Sequence, residues 1–447
     1  MNNENFTEGK ILSPLIKFTI PVFFAIFLQT MYGAVDMLIV GQFASAADVS
    51  AVSTGTCIMQ TITSAIVGLA MGTTILLGRK IGEGRKDEAG NIIGSSLFLF
   101  AVIGILVSVL MQFFAVPFAK LMQAPPEAFK STVDYVKICC GGAIFIVAYN
   151  LLGSIFRGMG NSKMPLIAVA IACVFNIFGD LILVAGFHMA TAGAAIATVF
   201  AQAISVVLSV FIIKKQQLPF KFSKKNIKFD KKIIGTVVKL GFPIAFQDVL
   251  VSISFLAITS IVNGLGIIAS AGVGVAEKIC GFIMLVPSAY MQSMSAFVAQ
   301  NMGAEKPQRA KKALLYGILT SLGVGVFLSY LSFFHGGLLT GLFAKDSEVM
   351  TAGAQYLKAY AIDCIFVSFL FCFIGYFNGC SKTTFVMVQG IVGAFCVRIP
   401  VSFFMSRIKP VSLFKVGLAT PCSTIVQITL CFIYFLLIGK KSKNMIK

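Results

Sequence analysis

Five carboxylates lie well inside long apolar stretches of this sequence, and they are the residues best able to do chemistry there. They are Asp36, Asp180, Asp248, Glu277 and Asp363. An ionisable side chain within a membrane span is costly, and where one occurs it usually marks the path of an ion, a proton or a substrate. Each of the five is therefore a candidate for binding a cation or a proton.

Two of these carboxylates come with neutral oxygen ligands. Asn176 precedes Asp180 by four residues, which places both side chains on one face of a helix. Asp36 in the first apolar run and Thr198 in the sixth complete what we call the N-half oxygen set. Carboxylate, amide and hydroxyl oxygens are ligands that suit a hard cation such as Na⁺, and the carboxylates can instead bind protons. A buried hydrogen-bonded network with a purely structural role is the alternative.

The second half of the chain lacks a matching set. The position that corresponds to Asp36 is Ile258, and Arg398 stands in the eleventh apolar run, which has no Asn-x-x-x-Asp. Arg398 can neutralise a nearby acid. We therefore expect the two halves to have different roles in the function of the protein.

The three carboxylates of the second half remain open to several roles. Asp363 can contact a cationic substrate or carry a proton, and a hydrogen-bonding role in the cavity lining is equally plausible. Asp248 is a candidate for substrate binding or for the cavity lining. Glu277 is followed directly by Lys278, and a local ion pair is the simpler explanation of that carboxylate.

The elements that must position these residues are membrane-spanning helices. Of 447 residues, 57% are hydrophobic and 12% are charged, whereas soluble domains carry about 25% charged residues. The apolar runs are about 20 residues or longer, as a helix needs to cross the bilayer, and they lack the alternation of barrel strands. We predict an all-α membrane protein with twelve transmembrane helices, over residues 14–43, 50–78, 92–116, 132–156, 164–187, 193–213, 233–263, 270–298, 313–334, 351–377, 385–405 and 417–438.

The positive charge follows the loops between these runs. The formal net charge is +19, but the Lys and Arg residues cluster in alternate short loops, as the positive-inside rule requires, so no nucleic-acid partner is expected. With twelve spans both termini are predicted in the cytoplasm, and we expect a multi-pass protein of the cytoplasmic (inner) membrane without a cleavable signal peptide. The 11 cysteines fall essentially within apolar runs, which argues against disulfides or a metal site built from cysteines.

The sequence repeats itself at an offset of roughly 219 to 224 residues. Lys17–Pro21 resembles Lys239–Pro243, and other short segments match in the same order. The repeat predicts an N-terminal six-helix half (1–213), a basic cytoplasmic linker (214–232) and a C-terminal six-helix half (233–447). Because each copy has an even number of spans, both have the same orientation, and a substrate path is expected between them.

The sequence contains neither a motif of an enzyme active site nor an ATP-binding motif that could drive transport. The phosphate-binding pattern G-x-x-x-x-G-K-[ST] does not occur. His188 and His335 are predicted at outer ends of helices, without a nucleophile motif beside them. The chain is therefore not expected to be an enzyme, and transport would draw on an ion gradient.

Taken together, these motifs resemble those of the multidrug and toxic compound extrusion (MATE) transporters. The resemblance rests on Pro21 and Asp36 in the first helix, a glycine-rich basic loop after the second, Arg157–Lys163 (RGMGNSK) after the fourth, and Asn176-x-x-x-Asp180 in the fifth. Each motif is weak alone, but their order and spacing together are specific. The resemblance covers nearly the whole chain.

The resemblance implies roles for several residues. The N-half oxygen set is similar to the cation site of the DinF-like branch, which takes Na⁺ or a proton. Pro21 matches a proline at which the first helix bends. Gln29, Tyr32 and Asn150 match positions that line the N-half cavity.

The NorM-like branch of the family implies a different site, in the C half. Asp363 resembles the aspartate of its tenth helix. The glutamate of its seventh helix would fall near Val251, with Asp248 about one turn away. The chain thus carries parts of both sites.

The family implies two pseudo-symmetric six-helix bundles around a central cleft. Its members export amphipathic, cationic drugs or toxic compounds in exchange for Na⁺ or H⁺ by alternating access. No cofactor beyond the coupling ion, contact with membrane lipids, and a monomer are expected. The alternative is a flippase for lipids or lipid-linked oligosaccharides, which would line the cleft with several basic residues or add two helices, whereas Arg398 is the clear basic residue deep within a predicted span.

Overall fold

The computed structural model describes residues 6–215 and 222–444, and these are almost entirely helical. Residues 216–221 of the predicted linker lie outside the described part. Two segments are π-helical, Leu181–Gly186 and Val392–Arg398, and Lys224–Asn226 forms a 3₁₀ turn. The α-helices are Leu12–Phe43 (α1), Ala46–Gly82 (α2), Lys86–Leu121 (α3), Pro126–Gly141 (α4), Ala143–Gly158 (α5), Lys163–Asp180 (α6), Ala190–Lys215 (α7), Lys231–Asn263 (α8), Ile267–Ile283 (α9), Leu285–Gly303 (α10), Pro307–Phe334 (α11), Gly336–Gly341 (α12), Ser347–Gly379 (α13), Thr383–Ile391 (α14), Ile399–Arg407 (α15), Leu413–Gly417 (α16) and Ala419–Asn444 (α17).

The membrane prediction is confirmed by the lengths and compositions of these helices. Within the described residues, 11 helical stretches are long and apolar enough to cross a bilayer, and the bent pair α4–α5 makes 12. Large apolar side chains such as Leu38, Phe113 and Phe327 remain exposed on these stretches. Such surface is stable when it faces lipid, so the chain is a multi-pass membrane protein.

The fourth predicted span is not one continuous helix. The axes of α4 and α5 differ by 56° across a break at Gly142. A Cβ atom at Gly142 would overlap the side chain of Val199 on α7. The pair Gly141–Gly142 thus lets α7 approach the backbone where the helix bends, which is a common cause of sharp kinks.

The helices pack into two compact units, the first of which is built on α2. This unit runs from Ile16 to Ala245 and includes Ala299–Lys306. Within it α2 contacts α3, α4 and α5. Phe100 and Phe156 are fully buried in its core. The first unit contains the whole N-half oxygen set.

The second unit is built on α13. It comprises Phe246–Val298 and the chain from Pro307 onward, with Lys10–Leu15. Within it α13 packs against α9, α11 and α17, and Tyr356 is buried in the core. The limits of these compact units differ from those of the sequence repeat, so the predicted boundaries at 213 and 233 remain predictions.

Candidate functional site

The N-half oxygen set comes together in the structure from three helices. α1 supplies Asp36, α6 supplies Asn176 and Asp180, and α7 supplies Thr198. Asp36, Asn176 and Asp180 are all buried, with 4%, 1% and 0% of their surface exposed. The four-residue spacing on α6 places its two members on one face, as the sequence predicts. The structure thus brings together the residues that the sequence predicted as one site.

Thr198 is the hydrogen-bonding centre of this set. Its Oγ1 donates to Asp36 Oδ2 at 3.3 Å and to the Ala194 carbonyl at 2.9 Å, and it accepts from Asn176 Nδ2 at 3.5 Å. A hydroxyl has a single hydrogen, so it serves Asp36 or Ala194 at any moment. The carboxylate of Asp36 therefore receives at most one hydrogen bond from this side chain.

Four oxygen atoms of the set have no hydrogen-bond donor among the described residues. These atoms are Asp36 Oδ1, Asn176 Oδ1 and both carboxylate oxygens of Asp180. Buried polar atoms are rarely left without a partner, and such atoms require an explanation. A cation with oxygen ligands, or protons on the carboxylates, would satisfy all of them.

Among the residues that the structure describes, no positive side chain is paired with the two carboxylates. The carboxyl groups of Asp36 and Asp180 interact with each other. Within the described part of the chain, neither forms an ion pair within 4.0 Å. Two like charges in apolar surroundings attract a cation or a proton. The residues present fit Na⁺ or H⁺.

The predicted cavity residues divide into two kinds. Tyr32 interacts with Gln29 and with Asp36, and its hydroxyl accepts a hydrogen bond from Gln202 Nε2 at 3.5 Å. Asn150 instead uses its amide nitrogen within its own helix, donating to the Ile146 carbonyl at 2.8 Å. The structure therefore connects Gln29 and Tyr32 to the oxygen set and gives Asn150 a local bond.

Gln202 is a residue of this site that sequence reasoning missed. It is buried, and its Oε1 has no hydrogen-bond donor among the described residues. Gln202 lies four residues after Thr198 on α7, so the helical period that connected Asn176 with Asp180 would also have found it.

The hinge predicted at Pro21 lies inside a continuous helix. α1 runs unbroken from Leu12 to Phe43 and contains Pro21 and Asp36. Bending at Pro21 therefore remains a prediction.

The second unit contains a different charged cluster, around Asp363 and Arg398. Asp363 is 1% exposed and both of its carboxylate oxygens lack a hydrogen-bond donor among the described residues. Arg398 is 6% exposed and interacts electrostatically with Asp363. Asp248, by contrast, is only partly buried, and within the described residues no hydrogen bond or ion pair connects it to Asp363 or Glu277.

The ion pair expected between Glu277 and Lys278 does not form in the described part of the chain. Consecutive residues of a helix point in different directions, and Lys278 is exposed whereas Glu277 is partly buried. The partner of Glu277 is Thr259 on α8, whose Oγ1 donates to Glu277 Oε1 at 3.5 Å. The simple local explanation of Glu277 was therefore wrong.

Comparison with protein families agrees with this architecture. The family model MatE matches the chain twice, over residues 21–182 and 243–404. Both ends of the second match lie 222 residues after those of the first. The same model therefore matches both copies of the internal repeat, and applying the offset of 222 residues pairs Asn176 with Arg398.

Two curated relatives are similar over most of the chain. "Probable multidrug resistance protein YoeA" of Bacillus subtilis (strain 168) is 23% identical over 433 residues, covering 95% of this chain and 94% of the relative. "Multidrug export protein MepA" of Staphylococcus saprophyticus is 23% identical over 414 residues, covering 90% and 88%.

A solved structure shares the fold. It is described as the outward-facing conformation of a multidrug resistance MATE family transporter of the MOP superfamily, and it is 18% identical with a TM-score of 0.92, covering 100% of this chain and 99% of its own. At this identity the likeness concerns the fold. Together with the double match of the family model, it identifies the chain as a member of the MatE family of multidrug efflux (MATE) transporters.

Proposed function

We propose that this protein exports amphipathic organic cations across the cytoplasmic membrane in exchange for Na⁺ or H⁺, by alternating access. The coupling ion binds at the N-half oxygen set. The observation that carries the proposal is the group of four buried oxygens, around two carboxylates, that have neither a hydrogen-bond donor nor a basic partner among the described residues.

The chemistry of the set explains how an ion gradient could drive export. A monovalent coupling ion that enters compensates one of the two negative charges of Asp36 and Asp180 and stabilises the conformation with the ion bound. When the ion leaves on the other side, the site regains its second negative charge, and the conformation that attracts a cationic substrate is favoured. Ion and substrate then exclude one another through charge, which is what exchange transport requires.

Tyr32, Gln29 and Gln202 provide polar groups that are connected to this set. Tyr32 interacts with Asp36 on one side and is hydrogen-bonded to Gln202 on the other. An aromatic ring with a hydroxyl suits an amphipathic cation, because the face of the ring attracts positive charge. We assign these three side chains to substrate contact, beside the residues that bind the ion.

The other features of the proposal follow from the distribution of charge and from the family. Both termini lie in the cytoplasm, because the basic loops then face inward. The curated relatives are named as multidrug resistance and export proteins, which favours drug-like small molecules as substrates. The protein acts as a monomeric transporter in contact with membrane lipids, and it is not an enzyme.

The experiment compares two gradients in proteoliposomes that contain the purified protein and a fluorescent cationic dye. We expect dye efflux under an imposed Na⁺ gradient or an imposed pH gradient, and little without either. The gradient that drives efflux identifies the coupling ion. If neither gradient moves the dye, while the same liposomes transport a fluorescent lipid between leaflets, the flippase alternative is favoured.

A further inference from the structure

Arg398 introduces a positive charge into the core of the second unit. Its side chain is 6% exposed, and it is the last residue of the π-helical segment Val392–Arg398. In the repeat it occupies the position of Asn176, whose amide oxygen belongs to the N-half oxygen set. The second copy thus carries a fixed cation where the first copy presents an oxygen ligand.

Neutral groups hold the guanidinium in place. Arg398 Nη1 donates to Ser254 Oγ at 3.0 Å, and the guanidinium carbon lies 4.4 Å from the centre of the Phe255 ring. Arg398 Nε has no hydrogen-bond partner among the described residues. A hydroxyl and an aromatic face orient an arginine but do not cancel its charge.

Asp363 is the buried acid whose charge Arg398 can cancel. It lies on α13 with both carboxylate oxygens lacking a donor among the described residues. Its helix neighbours Tyr360 and Cys364 belong to the core cluster against which Phe255 packs. The guanidinium of Arg398 faces the Phe255 ring. The two charges thus lie in one cluster, which is consistent with an electrostatic interaction between them. The two groups are not in direct contact, since no nitrogen–oxygen pair between them lies within 4.0 Å. A buried charge of either sign is strongly destabilising when its counter-charge is removed.

We propose that Arg398 is the resident counter-cation of Asp363, so that the C half binds no coupling ion of its own. The inference rests on the proposed function, because it assigns all ion coupling to the N-half oxygen set. A second mobile cation at Asp363 would be repelled by the guanidinium, and in apolar surroundings that repulsion is poorly screened. The covalently attached charge of Arg398 thus takes the place of an exchangeable ion, and the carboxylate of Asp363 is permanently compensated.

A cycle of four proteins tests the pairing of these charges. Wild type, Asp363→Asn, Arg398→Gln and the double variant are purified in detergent, and thermal unfolding is followed with a thiol-reactive dye that reports exposure of buried cysteines such as Cys364. We expect each single variant to lower the unfolding midpoint by several degrees and the double variant to regain most of that loss. Additive losses would overturn the pairing.

If Asp363→Asn or Arg398→Gln yields no folded protein, the double variant and Arg398→Lys still decide the matter. A folded, wild-type-like double variant supports the pairing, because two neutral side chains need no counter-charge. A double variant that also fails to fold, beside an Arg398→Lys variant that folds, contradicts it, since the positive charge would then be required independently of Asp363.

A second experiment asks directly whether the C half takes an ion. In an Asp36→Asn/Asp180→Asn background, the unfolding midpoint is measured with NaCl against choline chloride, and in mildly alkaline against mildly acidic buffer. The titratable or charged groups that interact with Asp363 are Arg398, Tyr356, Tyr360, Cys364 and Cys280. Cys280 lies on α9 and also interacts with Glu277.

We expect no saturable effect of Na⁺ or of acid that depends on Asp363 in this background. A saturable shift that disappears when Asp363→Asn is added would show that the C half binds an ion, and would overturn the proposal. Neither experiment requires transport. The inference can therefore fail while gradient-driven efflux by the wild type stands, and absence of that efflux would count against the proposed function alone.

Discussion

The two charged clusters of this protein solve the same electrostatic problem in different ways. In the first unit, Asp36 and Asp180 are buried without a basic partner among the described residues. In the second unit, Asp363 is buried near Arg398. The repeat has kept the helices and changed the charges, so a duplicated scaffold need not carry a duplicated site.

The difference between the two charged clusters indicates which carboxylates can respond to an ion gradient. A carboxylate compensated by an attached guanidinium changes little when the ion concentration changes, whereas an uncompensated pair must acquire a cation or a proton. Removal of one charged side chain should therefore have different consequences in the two units. In the first unit it should affect transport, and in the second it should affect stability.

The largest effect is expected from neutralising the N-half carboxylates. Asp180→Asn or Asp36→Asn removes the charge that the coupling ion compensates but preserves the size of the side chain. Gradient-driven dye efflux from proteoliposomes should fall to the level of protein-free liposomes, with little change in the unfolding midpoint. Asp134→Asn, on the exposed surface of α4, is the matched control. Normal efflux by both site variants would remove the N-half set from coupling.

An intermediate effect is expected from Thr198→Val. The substitution keeps the shape and removes the hydroxyl that donates to Asp36 and accepts from Asn176. If Na⁺ is the coupling ion, the substitution also removes an oxygen ligand, and a loss of about 1.4 kcal/mol should raise the half-saturating Na⁺ concentration roughly tenfold. If H⁺ is the coupling ion, loss of the donor that stabilises charged Asp36 should instead lower the half-saturating proton concentration. Efflux rate against ion concentration measures this value.

Thr420→Val in α17 is the control for that substitution. Thr420 is also buried, and its hydroxyl has no hydrogen-bond partner among the described residues. It should leave the ion dependence unchanged. Equal shifts in the two variants would show that Thr198 acts through packing rather than through its hydroxyl.

The smallest effect is expected from Tyr32→Phe. Its hydroxyl accepts a long hydrogen bond of 3.5 Å from Gln202, and such a neutral bond contributes about 0.5–1.5 kcal/mol. The KM for dye should change about threefold, while the dependence on the coupling ion stays as in the wild type. Tyr330→Phe, on the exposed surface of α11, is the control. A change in ion dependence without a change in KM would move Tyr32 from substrate contact to ion binding.

Much of the N-half site could be predicted from sequence because it depends on short-range rules. The spacing of Asn176 and Asp180 fixes a common helix face, and scarcity of charge within the spans identifies Asp36. That Thr198 meets them is a matter of helix packing, which the family resemblance supplied. Gln202 follows Thr198 at the same four-residue spacing, but its side chain is neutral, so the scarcity of charge that identifies Asp36 does not identify it.

The remaining features depend on contacts that no local pattern contains. The bend in the fourth span requires Val199 of another helix to lie against Gly142. The partner of Glu277 is Thr259 on a neighbouring helix rather than the adjacent lysine. Length and apolar composition predict that a span exists, but they do not predict where its backbone breaks.

The π-helical segment Leu181–Gly186 has a geometric consequence for the fifth span. A π turn accommodates one residue more than an α turn, and it begins directly after Asp180. If the segment tightened to an α-helix, the residues beyond it would rotate by about 100° around the axis, the step of a single residue. The residues before it, including Asn176 and Asp180, would keep their directions. Such a change would rotate the end of the span beyond Gly186 around the helix axis, while Asn176 and Asp180 keep their positions.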